Sequence, residues 1–120
     1  MAKKKILIVD DDSDFVTTAR EKIEKGGYEV IEALNADEGL RKAATESPDL
    51  ILLDVVMPKK DGYVFLLELK KRNPTNIVPV IVVTATSGME ELFQLEGVDD
   101  YVIKPFDFND LLKKIKKALK

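Results

Sequence analysis

Four carboxylates, Asp10, Asp11, Asp12 and Asp14, fall within five consecutive positions directly behind the apolar run Ile6-Leu7-Ile8-Val9. Like charges this close repel, so a cation, a helix N-terminus or solvent must offset them. Further along, Asp54 closes the run Leu50-Ile51-Leu52-Leu53, Thr84 follows the apolar residues 78–83, and Lys104 follows residues 101–103. The chain has no His and no Cys. That excludes a Ser-His-Asp triad, a His general base, a thiolate nucleophile and the softer metal sites. What remains is oxygen chemistry. Three carboxylates are hard ligands that suit Mg2+ or Mn2+, with waters completing the coordination. A Lys and a Thr hydroxyl beside such a cation supply the donors that the equatorial oxygens of a phosphoryl group require. A carboxylate in the same place can act as a nucleophile and form an aspartyl phosphate. The residue types therefore point to metal-assisted phosphoryl transfer onto an Asp, and leave open which Asp.

These groups lie far apart in sequence and can meet only if the intervening elements bring them to one edge. Apolar runs at 6–9, 28–33, 50–53, 78–83 and 101–103 read as strands. Segments of helical spacing alternate with them: Phe15, Ala19 and Ile23; then Leu40, Ala43 and Ala44; then Phe65, Leu66 and Leu69; finally Leu111, Leu112, Ile115 and Leu119. Gly26-Gly27, Ser47-Pro48, Asn73-Pro74 and Gly97 mark the helix ends. Strands apolar almost throughout, alternating with helices, predict an α/β fold: a doubly wound (βα)5 sandwich around a five-stranded parallel sheet. In such sheets functional residues gather beyond the carboxyl ends of the strands. Asp10, Asp11, Asp54, Thr84, Ala85, Lys104 and Pro105 all fall there.

At 120 residues, 45% hydrophobic and 34% charged, the chain reads as one globular domain over 1–120, with no second domain and no linker expected. The sequence has neither an apolar stretch of membrane-spanning length nor a signal-peptide pattern, so residence in the cytoplasm away from membranes is expected. A net charge of -3 argues against direct nucleic-acid binding.

The stretches "ILIVDDD", "LILLDVVMPKKDG", "VIVVTA" and "DDYVIKPF" resemble, in order and spacing, the receiver domain of two-component response regulators. The resemblance covers essentially the whole chain and implies the flavodoxin-like strand order 2-1-3-4-5. It implies that Asp54 is the phosphoacceptor. Asp10 and Asp11 would hold Mg2+ (or Mn2+) together with the Asp54 carboxylate and the Val56 backbone carbonyl. Thr84 would bond the phosphoryl group and Lys104 would neutralise it. Small Ala85 would leave Asp54 accessible, and Tyr101 would be the aromatic coupled to Thr84. Gly62 would be structural, and the Lys104-Pro105 bond would be cis. The donor would be a phosphohistidine on a histidine kinase or phosphotransfer protein. The output would be a protein contact on the face of the fourth helix, fifth strand and fifth helix, with a protein target the sequence does not name. A monomer or weak dimer is expected.

Rival readings meet particular residues that do not fit them. Asp10, Asp12, Asp14 and Glu21 imitate an EF-hand loop, but the required central Gly is Phe15. A haloacid-dehalogenase-like phosphatase also begins with Asp-x-Asp and uses a strand-end Thr, yet its Lys precedes its second acidic pair, whereas here Asp99-Asp100 precedes Lys104. "TATSG" faintly suggests a flavin phosphate loop, but it follows the fourth strand rather than the first. A receiver serving only as an unphosphorylated scaffold is the alternative that no missing residue supports. Asp99 and Asp100 read as a solvated turn, and Phe15, Tyr28 and Phe65 as core. The acidic cluster divides: Asp10 and Asp11 go to the metal, Asp12 to a helix N-cap and Asp14 to the first turn. The fourth helix is short (residues 89–96). Val64 and Leu67 of the third are apolar where receivers usually carry polar residues, making either a contact patch or a wider buried stripe.

Overall fold

The computed structural model describes residues 2–72 and 78–120. Five strands, β1 (Lys5–Val9), β2 (Glu29–Ala33), β3 (Leu50–Leu53), β4 (Val80–Thr84) and β5 (Asp100–Ile103), alternate with helices α1 (Ser13–Lys25), α2 (Ala36–Glu46), α3 (Gly62–Arg72), α4 (Glu90–Leu95) and α5 (Phe108–Ala118). Every strand pairing is parallel and the order is β2-β1-β3-β4-β5. This is the doubly wound sandwich read from the sequence.

Parallel strands buried on both faces need apolar side chains in both directions, and β1, β3 and β4 supply them. Alternate residues feed two cores. Leu7, Val9, Ile51, Leu53, Val80 and Val82 pack with Leu40 of α2, Phe65 of α3 and Phe93 of α4. Ile6, Ile8, Leu50, Leu52, Ile81 and Val83 pack with Ile23 of α1 and Ile115 of α5. Strand order reverses between β1 and β3, so the crevice at their carboxyl ends is the place for a ligand.

Helix starts follow their capping residues. Asn35 Oδ1 accepts from the Glu38 N–H at 2.8 Å, and Asp107 Oδ1 from the Asn109 N–H at 2.8 Å. Gly27 and Gly97 follow α1 and α4 at φ 98° and 83°, the left-handed region that favours Gly. Asn73-Pro74, read as the end of α3, lies outside the described residues. Among the described residues, no helix is long and apolar enough to cross a membrane.

Two expectations need correction. The fourth strand starts at Val80, not at residue 78. Pro79 has no N–H to give; its carbonyl accepts from Ile51 N at 2.9 Å and closes the ladder. Asp99 and Asp100 are not simply a solvated turn: Asp99 Oδ1 accepts from the Val80 N–H at 3.3 Å, while Asp100 opens β5 and pairs with Lys114 at 3.0 Å. Of the two readings left open for Val64 and Leu67, exposures of 38% and 41% exclude the wider buried stripe.

Helix α4 is confined to six residues. Of its apolar residues only Phe93 is fully buried, while Leu95 is 82% exposed. The helix is tied to α3 from the side. Tyr63 Oη donates to Glu96 Oε2 at 3.2 Å, Lys70 Nζ donates to Glu96 Oε1 at 3.2 Å, and the Tyr63 ring meets Phe93 edge-on at 5.6 Å.

Candidate phosphoacceptor and metal site

The main-chain ladder continues beyond the strands and aims the site residues. Asp10 N–H donates to the Ala33 carbonyl at 3.0 Å, Asp54 N–H to Val9 at 2.9 Å, and Lys104 N–H to Thr84 at 2.8 Å. The side chains of Asp10, Asp54 and Lys104 therefore leave from backbone that is tied to a neighbouring strand end. The Lys104-Pro105 peptide bond is cis.

Carboxylate oxygens of Asp10, Asp11 and Asp54 all lie within 4.8 Å of one another. Around a Mg2+ ion with bonds of 2.0–2.1 Å, opposite ligands stand about 4 Å apart and adjacent ones about 3 Å, so the three carboxylates would draw inward to close on one ion. The donors are all carboxylates, which matches Mg2+ or Mn2+ and not a soft metal. Asp10 is 1% exposed and Asp54 8%. Burial pushes the Asp10 carboxyl up from its ordinary pKa, against the opposing pull of the Lys104 ammonium and the Asp12 N–H; the neighbouring Asp54 charge pushes it further up. A cluster under this strain gains from a divalent cation.

Two of the four acids of the opening cluster serve the helix rather than the pocket. Asp12 Oδ1 accepts from the N–H groups of Asp14 and Phe15 at 3.1 and 3.2 Å and caps α1; Asp14 sits in the first turn. Asp12→Ala is therefore expected to cost about 1 kcal/mol of stability. Chemical denaturation measures that cost, and Mg2+ binding should survive it.

Lys104 Nζ donates to Asp10 Oδ2 at 2.8 Å, and the side chain is only 19% exposed. Its partner in this structure is thus Asp10, not Asp54. Asp54 Oδ1 instead accepts from the Val55 N–H at 2.8 Å. Thr84 ends β4 with its Oγ1 buried, accepting from the Thr86 N–H at 3.3 Å. Ala85 and Val56 stand exposed beside it and beyond Asp54. Tyr101 Oη donates to the Thr86 carbonyl at 2.6 Å, tying β5 to the β4–α4 loop. Burial, then the Glu90 and Asp54 carboxylates, push the Tyr101 hydroxyl above its ordinary pKa. Gly62 opens α3 against the Asp54 carbonyl, with its N–H donating to Val55 at 2.7 Å.

One residue read as core belongs beside the site. Lys104 Nζ stands 3.9 Å from the centroid of the Phe15 ring, which packs with Phe106 and Phe108. The usable signal was positional: the first turn of a helix that starts from an acidic strand end borders whatever that strand end holds.

The family model of the response regulator receiver domain matches residues 6–116. The chain belongs to this family. The receiver is 40% identical over 119 residues to the alkaline phosphatase synthesis transcriptional regulatory protein PhoP of Bacillus subtilis; the match covers 98% of this chain and 49% of PhoP. It thus spans about half the length of the curated relatives it matches. Among solved structures, it resembles a CheY-like response regulator receiver domain protein from Methanospirillum hungatei, at TM-score 0.89 and 38% identity. That match covers 98% of this chain and 94% of the other. It also resembles the response regulator TrrA of Thermotoga maritima, solved in complex with Mg2+ and BeF, at TM-score 0.87 and 34% identity over 97% and 99% of the two chains.

Proposed function

We propose that this receiver accepts a phosphoryl group on Asp54 from the phosphohistidine of a histidine kinase or phosphotransfer protein, with Mg2+ at the acidic pocket, and passes the signal on through a protein contact. The observation that carries the reading is the convergence of the Asp10, Asp11 and Asp54 carboxylates within 4.8 Å, with Lys104 held 2.8 Å from Asp10. A Mg2+–BeF complex of the related TrrA supports it.

In this reading Asp10, Asp11, the Asp54 carboxylate and the Val56 carbonyl would hold the cation, which would supply neutralisation of the charge developing on the transferred group. An Asp54 oxygen attacks phosphorus, the bond from phosphorus to the donor imidazole breaks, and that electron pair stays with the imidazole nitrogen. Lys104 leaves Asp10 to pair with a phosphoryl oxygen, and the Thr84 hydroxyl turns from the Thr86 N–H to donate to another. Exposed Ala85 leaves the approach open.

The added charge at one strand end then biases a two-state element. Thr84 and Tyr101 both bond to Thr86, so a movement of the Thr84 hydroxyl reaches Tyr101 through the loop. Leu92, Leu95 and Ile103 are exposed on α4 and β5. They supply apolar surface for the output contact on the α4-β5-α5 face. The domain is no enzyme in the turnover sense. Incubation with a phosphomonoester tests this against the haloacid-dehalogenase-like alternative: no steady turnover is expected, whereas sustained product release, abolished by Asp10→Ala, would favour the phosphatase.

A further inference from the structure

Two groups hold Lys104, and only one of them is a carboxylate of the acidic pocket. Its Nζ donates to Asp10 Oδ2 at 2.8 Å and lies 3.9 Å from the Phe15 ring centroid. The other oxygen of Asp10 is also engaged, since Oδ1 accepts from the Asp12 N–H at 2.9 Å. A divalent cation seated on Asp10, Asp11 and Asp54 competes with the ammonium for the same carboxylate, and two cations on one carboxylate repel. Released from Asp10, an ammonium on a flexible four-carbon stem is free to swing into water.

The Phe15 ring face is the partner a metal does not take. It attracts an ammonium through its quadrupole, and it offers no oxygen to a hard cation. The ring is also fixed. Its backbone N–H is bonded to Asp12 at the start of α1, and the rings of Phe106 and Phe108 stand 6.2 and 6.3 Å away. We propose that Phe15 is a positioning residue for phosphoryl transfer: its ring face keeps the Lys104 ammonium at the site when a divalent cation takes over Asp10. The inference rests on the phosphoacceptor reading above.

The first test needs no phosphoryl chemistry. By NMR, the Lys104 ε-methylene protons of the wild type are expected upfield, shifted by the ring current, both without metal and with saturating Mg2+. Phe15→Leu should return them to ordinary lysine values in both conditions. A wild-type shift that collapses when Mg2+ is added overturns the proposal. The second test is the initial rate of phosphorylation by acetyl phosphate at saturating Mg2+. Phe15→Leu should be about five- to tenfold slower, and Phe15→Tyr, which keeps the ring, within about twofold of wild type. If Phe15→Leu proves unstable, Phe15→Met serves in both tests. If the ringless variant runs at the wild-type rate while the wild type is phosphorylated at Asp54, the positioning role is wrong and the phosphoacceptor reading stands. If the wild type takes up no phosphoryl group, both fall together.

Discussion

Gly62→Ala is expected to destabilise the domain by about 3 kcal/mol, the upper end of the usual cost of overpacking. A Cβ at this position would lie 2.2 Å from the Asp54 carbonyl oxygen and 3.0 Å from the Val55 Cα. Both obstacles are backbone, so no rotamer change relieves the overlap. Either α3 moves outward and loosens the packing of the buried Phe65, Leu66 and Leu69, or the Asp54–Val55 segment moves and takes the Asp54 carboxylate with it. Urea denaturation reports the loss as a lower midpoint with an unchanged slope. A midpoint near the wild type would mean that α3 does not sit as tightly on Asp54 as the structure shows. Gly27→Ala provides the contrast. Its Cβ meets nothing within 4 Å, but φ is 98°, so the expected cost is only the roughly 1–2 kcal/mol of left-handed backbone.

The second large effect is on the metal. Asp10→Asn and Asp11→Asn are each expected to abolish the stabilisation that Mg2+ confers. For the wild type at ten times its dissociation constant, that stabilisation is about 1.4 kcal/mol. Asp11→Asn should also make the metal-free protein more stable than wild type, because it removes one of three charges whose oxygens lie within 4.8 Å. Asp10→Asn should not show this gain to the same degree, since it also leaves Lys104 without its ion-pair partner. Asp12→Ala should show the reverse pattern: lower stability, with the Mg2+ increment retained. Thermal melts of the three variants with and without Mg2+ separate these outcomes. A Mg2+ increment that persists in Asp11→Asn would show that the cation binds elsewhere.

The parts of the site legible in the sequence are those fixed by strand ends. In an all-parallel sheet the chain must finish every strand on the same edge, so Asp10, Asp54, Thr84 and Lys104 follow directly from the apolar runs before them. The division of Asp10 and Asp11 from Asp12 and Asp14 was legible for a related reason, since a helix must start within a few residues of β1 and needs a cap. What sequence does not show is choice among partners. Lys104 could face Asp10 or Asp54; burial of Asp10 and the position of the Phe15 ring decide it. The start of β4 moved because Pro79 lacks a donor, a rule available in advance but masked by the apolar Val78. The orientation of α4 was least legible. Six residues, fewer than two turns, do not establish a stripe, and the buried Phe93 with side ties from Tyr63 and Lys70 to Glu96 sets its place.

Comparison of the wild type with Asp54→Asn by intact-protein mass spectrometry after incubation with acetyl phosphate, with Mg2+ and with excess chelator, tests the central claim most directly. The wild type should gain the mass of one phosphoryl group only when Mg2+ is present. Asp54→Asn should gain none under either condition. Uptake that persists in Asp54→Asn, or a wild type that takes up nothing in Mg2+, would contradict Asp54 as the phosphoacceptor.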